Sequence, residues 1–192
     1  MYKKVFKRVI DLIVAFVALL ILAPLIGLVT LLLYSQNKGK PFFFQERPGQ
    51  FKKPFYIIKF KTMTDEKDAE GNLLPDNLRI TKFGGWVRKL SIDELPQLIN
   101  VLKGEMSVIG PRPEREVFIK ELEQVIPFYR CRHLIKPGIT GLAQVSFGYG
   151  SSVSDAVHKH RYDVFYLKHR SLWMDIKILF RTVKTVILGQ GL

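Results

Sequence analysis

Residues 12–33 carry no charged side chain and read LIVAFVALLILAPLIGLVTLLL. That is about the length a helix needs to cross a bilayer, roughly 20 residues. A cleaved signal peptide fits poorly, because the run is too long and no small-residue cleavage site follows it. Basic residues stand on both sides: Lys3, Lys4, Lys7 and Arg8 before it, and Lys38, Lys40, Arg47, Lys52 and Lys53 after it. Positive charge favours the cytoplasmic side, so the two ends compete for one face. Pro24 lies near the middle of the run, with Gly27 just after it. Proline removes a backbone hydrogen bond and bends or breaks a helix. Two readings stay open: a helix that breaks at Ala23-Pro24 and returns to the face it entered, and a straight span kinked at the proline.

Asp11 sits at the edge of the run, where a carboxylate is costly unless paired; Lys7 or Arg8, one turn away, is the expected partner. Lys7 and Arg8 are also placed at headgroup depth, which suits a lipid phosphate.

The chain has 192 residues, with 30 Lys+Arg against 17 Asp+Glu and a net charge of +13. Such an excess implies an anionic partner: nucleic acid, an acidic membrane surface or a phosphorylated substrate. A hydrophobic content of 47% excludes a disordered tail. One cysteine, Cys131, excludes a disulfide framework and a cysteine-based metal site within one chain. It is read as a small core hydrophobe.

Short aromatic and β-branched runs at residues 42–44 and 55–60 predict strands. Residues 65–77 predict a polar loop. Helical spacing predicts helices over residues 91–102, 113–130 and 154–169. Residues 136–149 are glycine-rich and lack helical periodicity. Over residues 173–188, Ile176, Leu179, Phe180, Val183, Val186 and Ile187 form one stripe, with Lys177, Arg181 and Lys184 opposite. That pattern suits either a membrane interface or packing on the protein's own core.

Ser91-Ile92-Asp93-Glu94-Leu95-Pro96 opens the first of these helices. Ser91 and Glu94 have capping-box spacing, but a start with Asp93 as cap places Pro96 in the first turn, where its missing N–H costs nothing. The same geometry allows chemistry. A carboxylate beside a helix N-terminus stays ionised and is able to act as a nucleophile or hold Mg²⁺, with Arg88, Lys89, Arg112 and Arg115 near in sequence to shield a phosphate. In Gly110-Pro111-Arg112-Pro113, two prolines stiffen the backbone around one arginine, which suits a phosphate contact or a rigid turn before a helix. Lys59 and Lys61 share one face of a strand. Lys136-Pro137-Gly138-Ile139-Thr140-Gly141 is read as a plain loop or a turn that lets a phosphate approach. His158 and His160 point to different faces of a helix, which disfavours a metal site.

Taken in order, these segments resemble the bacterial sugar transferase family, the monotopic polyprenyl-phosphate phosphoglycosyl transferases, in its minimal catalytic form. The matching stretches are Lys7-Arg8-Val9-Ile10-Asp11, Phe44-Gln45-Glu46-Arg47-Pro48-Gly49, Ile58-Lys59-Phe60-Lys61-Thr62-Met63, Leu90-Ser91-Ile92-Asp93-Glu94-Leu95-Pro96-Gln97-Leu98, Asn100-Val101-Leu102-Lys103-Gly104-Glu105-Met106-Ser107, the Gly110 and Lys136 segments, and Arg161-Tyr162-Asp163.

The resemblance implies an α-rich α/β fold. Residues 1–36 would form a re-entrant membrane helix broken at Pro24. Residues 37–192 would form a small catalytic domain with short strands and interfacial amphipathic helices, at the cytoplasmic face of the bacterial inner membrane. It implies Mg²⁺, a UDP-sugar donor and a polyprenyl phosphate acceptor such as undecaprenyl phosphate. Asp93 becomes the expected nucleophile, releasing UMP and holding the phosphosugar until the lipid phosphate collects it. Glu94 becomes a metal ligand or proton handler. Lys59, Lys61, Arg88, Arg112, Arg115 and Lys136 are the expected phosphate-binding cations.

Residues 146–153 depart from the Asn-Gly-Arg-Asn of some members, so the sugar does not carry over. Single-step transfer, with Asp93 only a Mg²⁺ ligand, remains an alternative. So does a membrane-tethered anion-binding protein, although no nucleic-acid recognition motif is present. A homodimer is compatible with all of these.

Overall fold

The computed structural model describes residues 2–147, 150 and 152–188; of Lys3 and Lys4 it describes the backbone alone. A turn of π-helix at Tyr2–Phe6 leads into α1, Lys7–Gln36. A hairpin of β1 (Phe42–Pro48) and β2 (Pro54–Phe60) follows. Next come α2 (Asp76–Arg79), α3 (Lys82–Lys89) and α4 (Gln97–Lys103). Then follow β3 (Ser107–Ile109), α5 (Glu116–Val125), β4 (Gly138–Thr140), α6 (Leu142–Ser146), α7 (Val153–His169) and α8 (Leu172–Ile187). The α-rich α/β class expected from the sequence is found.

The long helix departs from expectation. The break expected at Pro24 is not seen: α1 runs continuously through it. One missing N–H is a small loss in a 30-residue helix whose other bonds are internal. Both halves of α1 reach the rest of the chain. Ala15, with Val14, Ala18 and Leu19, packs into a core built on α4, β2, β3, Tyr166 and Ile178. Val29 and Leu33, with Leu25 and Ile26, pack beside Phe60, Val87 and Ile92. Asn37, just past the helix, donates to the Lys61 carbonyl at 2.8 Å. The opposite side of α1, including Ile13, Phe16, Leu20, Ile21, Leu28 and Leu31, is exposed.

In the hairpin, β1 and β2 pair antiparallel from Phe42↔Phe60 to Pro48↔Pro54. Both strands outrun the short apolar runs that predicted them, and β1 thereby includes Arg47. The helix predicted over residues 113–130 is α5 alone. Pro127 disfavours helix at Ile126, and Phe128 takes the left-handed conformation (φ 58), so the chain turns into a 3-10 helix at Tyr129–Leu134.

Strands β3 and β4 pair in parallel, Ser107↔Gly138 and Ile109↔Thr140. The glycines here serve this pairing. A Cβ on Gly138 would stand 2.1 Å from the Gly110 nitrogen, and one on Gly141 2.2 Å from the Gly110 carbonyl oxygen. The Lys136–Gly141 segment is therefore a strand pressed against the backbone that precedes Arg112.

The outer stripe of α8 is not packed on the core. Asp175 and Ile178 are buried, whereas Trp173, Phe180, Val183 and Ile187 are exposed.

Candidate active site

Asp93 and Glu94 lie in a 3-10 turn, Ile92–Glu94, reached through Ser91 in the left-handed region (φ 54). Pro96 takes the position before α4, and no side chain caps the helix there. Both capping readings of this segment are thus corrected: the tight turn carries the acids ahead of the helix rather than onto its end.

The two neighbouring acids meet opposite surroundings. Glu94 is buried and both its oxygens are taken. Lys59 Nζ donates to Oε1 at 2.5 Å, Arg112 Nη2 to Oε1 at 2.8 Å, and Arg112 Nη1 to Oε2 at 3.2 Å. Burial alone would raise this carboxyl, but the charges of Arg112 and Lys59 outweigh it and hold Glu94 at about 2. Asp93 makes no hydrogen bond or ion pair to any described residue. Burial and then the charge of Glu94 push it up to about 6, against the opposing charges of Lys59, Arg88 and Arg112. Adjacent carboxyls driven apart in this way are a common mark of acids with separate chemical roles.

The expected cations divide into groups. Lys59 and Arg112 meet at Glu94. Arg88 stays within electrostatic range of Asp93 while its Nε donates to Thr62 Oγ1 at 2.8 Å. Arg115 lies over the Phe118 ring, 5.4 Å from its centroid, on the wall of the same cavity as Glu94. Lys61 lies just past β2 and pairs with Asp65, so the shared strand face with Lys59 does not form. Lys136 sits beside Gly104 and Arg8, away from the acids. Burial and the charge of Arg8 depress its pKa.

Lys7 and Arg8, read from the sequence as headgroup cations, are turned into the protein. Lys7 bridges Asp11 at 2.8 Å and Asp175 at 3.0 Å. Arg8 donates to the carbonyls of Val101 at 2.6 Å and Leu102 at 3.1 Å, at the C-terminal end of α4. Tertiary packing brings those carbonyls to it, and local sequence gives no sign of that.

Three polar residues were missed. Arg132 donates to the Arg112 carbonyl at 2.9 Å and pairs with Asp163 at 3.0 Å, holding the Pro111-Arg112-Pro113 backbone from behind. Arg47 and Gln97 line the cavity beside Glu94. Their signal lay in the Phe44–Gly49 and Leu90–Leu98 segments, where no role had been attached to them. His158 stacks on Phe147, with ring centroids 5.6 Å apart, and His160 lies tilted against Tyr129, with centroids 5.1 Å apart. Of the segment expected to bear on sugar choice, Gly148, Tyr149 and Ser151 lie outside the described residues.

Mg²⁺ is usually bound by one or two carboxylates together with substrate phosphates. Asp93 fits that pattern. Glu94, with both oxygens engaged, does not in this arrangement. A half-buried free carboxylate ringed by cations suits phosphoryl transfer, which depends mainly on positioning and charge neutralisation.

The sequence matches the family model described as "Bacterial sugar transferase" over residues 2–189. It is 45% identical to the "Uncharacterized sugar transferase EpsL" of Bacillus subtilis (strain 168), over 98% of this chain and 90% of that protein. It is 40% identical to the "UDP-N-acetylgalactosamine-undecaprenyl-phosphate N-acetylgalactosaminephosphotransferase" of Aeromonas hydrophila, over 96% of this chain. It is 38% identical to the "UDP-glucose:undecaprenyl-phosphate glucose-1-phosphate transferase" of Klebsiella pneumoniae, over 93% of this chain. The match spans 44% and 39% of those two longer relatives.

Proposed function

The chain belongs to the bacterial sugar transferase family, and on that premise we propose that it moves a sugar-1-phosphate from a UDP-sugar to a polyprenyl phosphate such as undecaprenyl phosphate, releasing UMP. The observation that carries this reading is the contrast between the paired Glu94 and the unpaired Asp93. An Asp93 oxygen attacks the phosphorus that bears the sugar, and the bond to the bridging oxygen breaks. UMP leaves with that electron pair. The phosphosugar stays on Asp93 as an acyl phosphate until an oxygen of the lipid phosphate attacks the same phosphorus and frees the carboxylate. Glu94 holds Lys59 and Arg112 at the donor phosphates. Mg²⁺, held by Asp93 together with those phosphates, would neutralise charge on the transferred group.

The membrane seat follows the same logic. Both ends of α1 lie against one small domain through Arg8, Asn37 and the two cores. A helix that crossed the bilayer would separate its ends on opposite faces. The contacts therefore support α1 dipping into one leaflet with both ends on the same face, and the exposed stripe of α8 in the same interface. The acids would then stand at the cytoplasmic headgroup plane of the inner membrane, where the acceptor phosphate lies.

The test is incubation of detergent-purified protein with a UDP-sugar panel and Mg²⁺, without lipid, followed by intact mass. A phosphosugar adduct absent in Asp93→Asn is the expected result. UMP release that requires polyprenyl phosphate and leaves no adduct would replace the two-step route with direct transfer. No turnover with any donor, lipid included, would overturn the enzymatic reading.

A further inference from the structure

Beside Glu94 lies a cavity of ≈ 190 Å³, whose lining includes Arg47, Lys59, Gln97, Arg112, Arg115 and Phe118. That is below the roughly 300–1,000 Å³ of pockets that enclose a whole small molecule, so it suits the charged part of a larger one. Its basic side chains, Arg47, Lys59, Arg112 and Arg115, outnumber its carboxylates, Glu94 and Glu114.

Two of its lining residues carry buried N–H donors with no partner among the described residues: Nε of Arg47 and Nε2 of Gln97. Gln97 is 2% exposed. The hydrogen bond that Arg47 does make goes to Gln45 Oε1 at 2.6 Å, and no acid stands within ion-pair distance of it among the described residues. Buried donors are nearly always satisfied, so two orphans on residues that line one cavity indicate a missing acceptor. A guanidinium without a carboxylate, beside two further arginines, calls for an anion. Burial and the charges of Arg112 and Arg115 accordingly depress the Arg47 guanidinium to about 10, against the pull of Glu114.

We propose that Arg47 and Gln97 bind the donor phosphate that departs with the nucleotide. This rests on the transferase reading above. Glu94 lines the cavity and its neighbour Asp93 is the attacking group in that reading, which would set the attacked phosphorus between nucleophile and cavity. The leaving phosphate then enters the cavity opposite the incoming oxygen, as in-line displacement requires.

The experiment titrates UMP and, separately, uridine into full-length protein in detergent, for wild type, Arg47→Gln and Gln97→Leu, and follows thermal unfolding with and without UMP. A hydrogen bond to a charged group corresponds to about tenfold or more in affinity. Each variant should lose at least that factor for UMP and keep its response to uridine. Gln97→Leu should also unfold no lower than wild type when ligand-free, because it loses an unsatisfied buried donor, whereas Arg47→Gln also gives up the bond to Gln45; both should show less stabilisation by UMP. Arg47→Lys, which keeps the charge but loses the fork, should recover part of the affinity. Unchanged UMP affinity in both variants, with normal adduct formation, overturns the subsite and leaves the transferase reading intact. Weakened UMP binding in both, with no adduct or lipid product from any UDP-sugar in wild type, leaves the subsite standing and overturns that reading.

Discussion

Two buried polar clusters lie toward opposite ends of α4, and they are built on opposite principles. At the base of α1 the buried carboxylates are matched. Asp11 accepts from Lys7 and from the Val108 nitrogen, while Asp175 accepts from Lys7, Tyr2 at 2.5 Å and Tyr166 at 2.7 Å. Around Glu94 the matching stops short: among the described residues the Asp93 carboxylate has no hydrogen-bond or ion-pair partner, and Arg47 and Gln97 each keep an orphaned donor. A satisfied network fixes structure, whereas unsatisfied groups store interactions that a ligand completes. The first cluster joins α1 to the rest of the chain, and the second, under the proposed function, is the one that meets the donor.

The contrast breaks most visibly at Asp93. Asp93→Asn should cut UMP release by at least about 10³-fold, the scale seen when a nucleophile is removed. Yet unfolding at pH 8 should show it no less stable than wild type, since no partner is lost. A matching loss of stability would place Asp93 with the structural charges instead.

Asp175→Ala should give the reverse pattern. It leaves Lys7, Tyr2 and Tyr166 short of an acceptor inside the protein, and removing one member of a buried charged network costs about 3–5 kcal/mol. Denaturation in detergent should register that loss, while molecules that remain folded keep their affinity for UMP.

Solution pH sharpens the comparison further. Asp93 titrates at about 6, so activity should fall about tenfold per unit as pH drops below that value. Its folded pKa is raised, so its contribution to stability is present at acid pH and lost as pH rises through about 6. Glu94 has the opposite sign. Its folded pKa is depressed to about 2, so its contribution is complete above the unfolded value and is lost as pH falls toward 2. In Asp93→Asn the feature near pH 6 should vanish from the rate profile, while in the stability profile it should shrink and not vanish, because burial pushes Asp163 up to about 6 as well.

The smallest effect belongs to the surface. Phe180→Glu on the exposed stripe of α8 should weaken flotation with anionic vesicles by a few-fold, with α1 still inserted, and leave melting temperature unchanged. A drop in melting temperature would mean that the stripe packs on protein.

Much of this was legible in the sequence, because the decisive residues were close in sequence or carried local signals. The Lys7–Asp11 pair is one helical turn, and the Asp93-Glu94 dyad, the stiffened Arg112 and the amphipathic α8 each announce themselves within a few residues. What stayed hidden depends on chain segments far apart. Arg47, Gln97 and Arg112 share one cavity because the β1–β2 hairpin, α4 and the Pro111-Arg112-Pro113 turn converge there. Arg8 looks like a lipid ligand until the last carbonyls of α4 arrive beside it. At Pro24 the local rule left a break and a kink both open and the resemblance implied the break, while the remaining hydrogen bonds of a long apolar helix keep α1 continuous there.

The contact among Gly110, Gly138 and Gly141 bears on redesign. Every substitution at Gly138 or Gly141 adds a Cβ into main chain a little over 2 Å away. The support beneath Arg112 therefore has no neighbouring sequence to drift into. A library seeking new donor preferences would waste its diversity there. The adjustable part of the cavity lining is at Arg115 and the half-exposed Phe118 of α5, where side chains meet solvent and can change without moving the backbone.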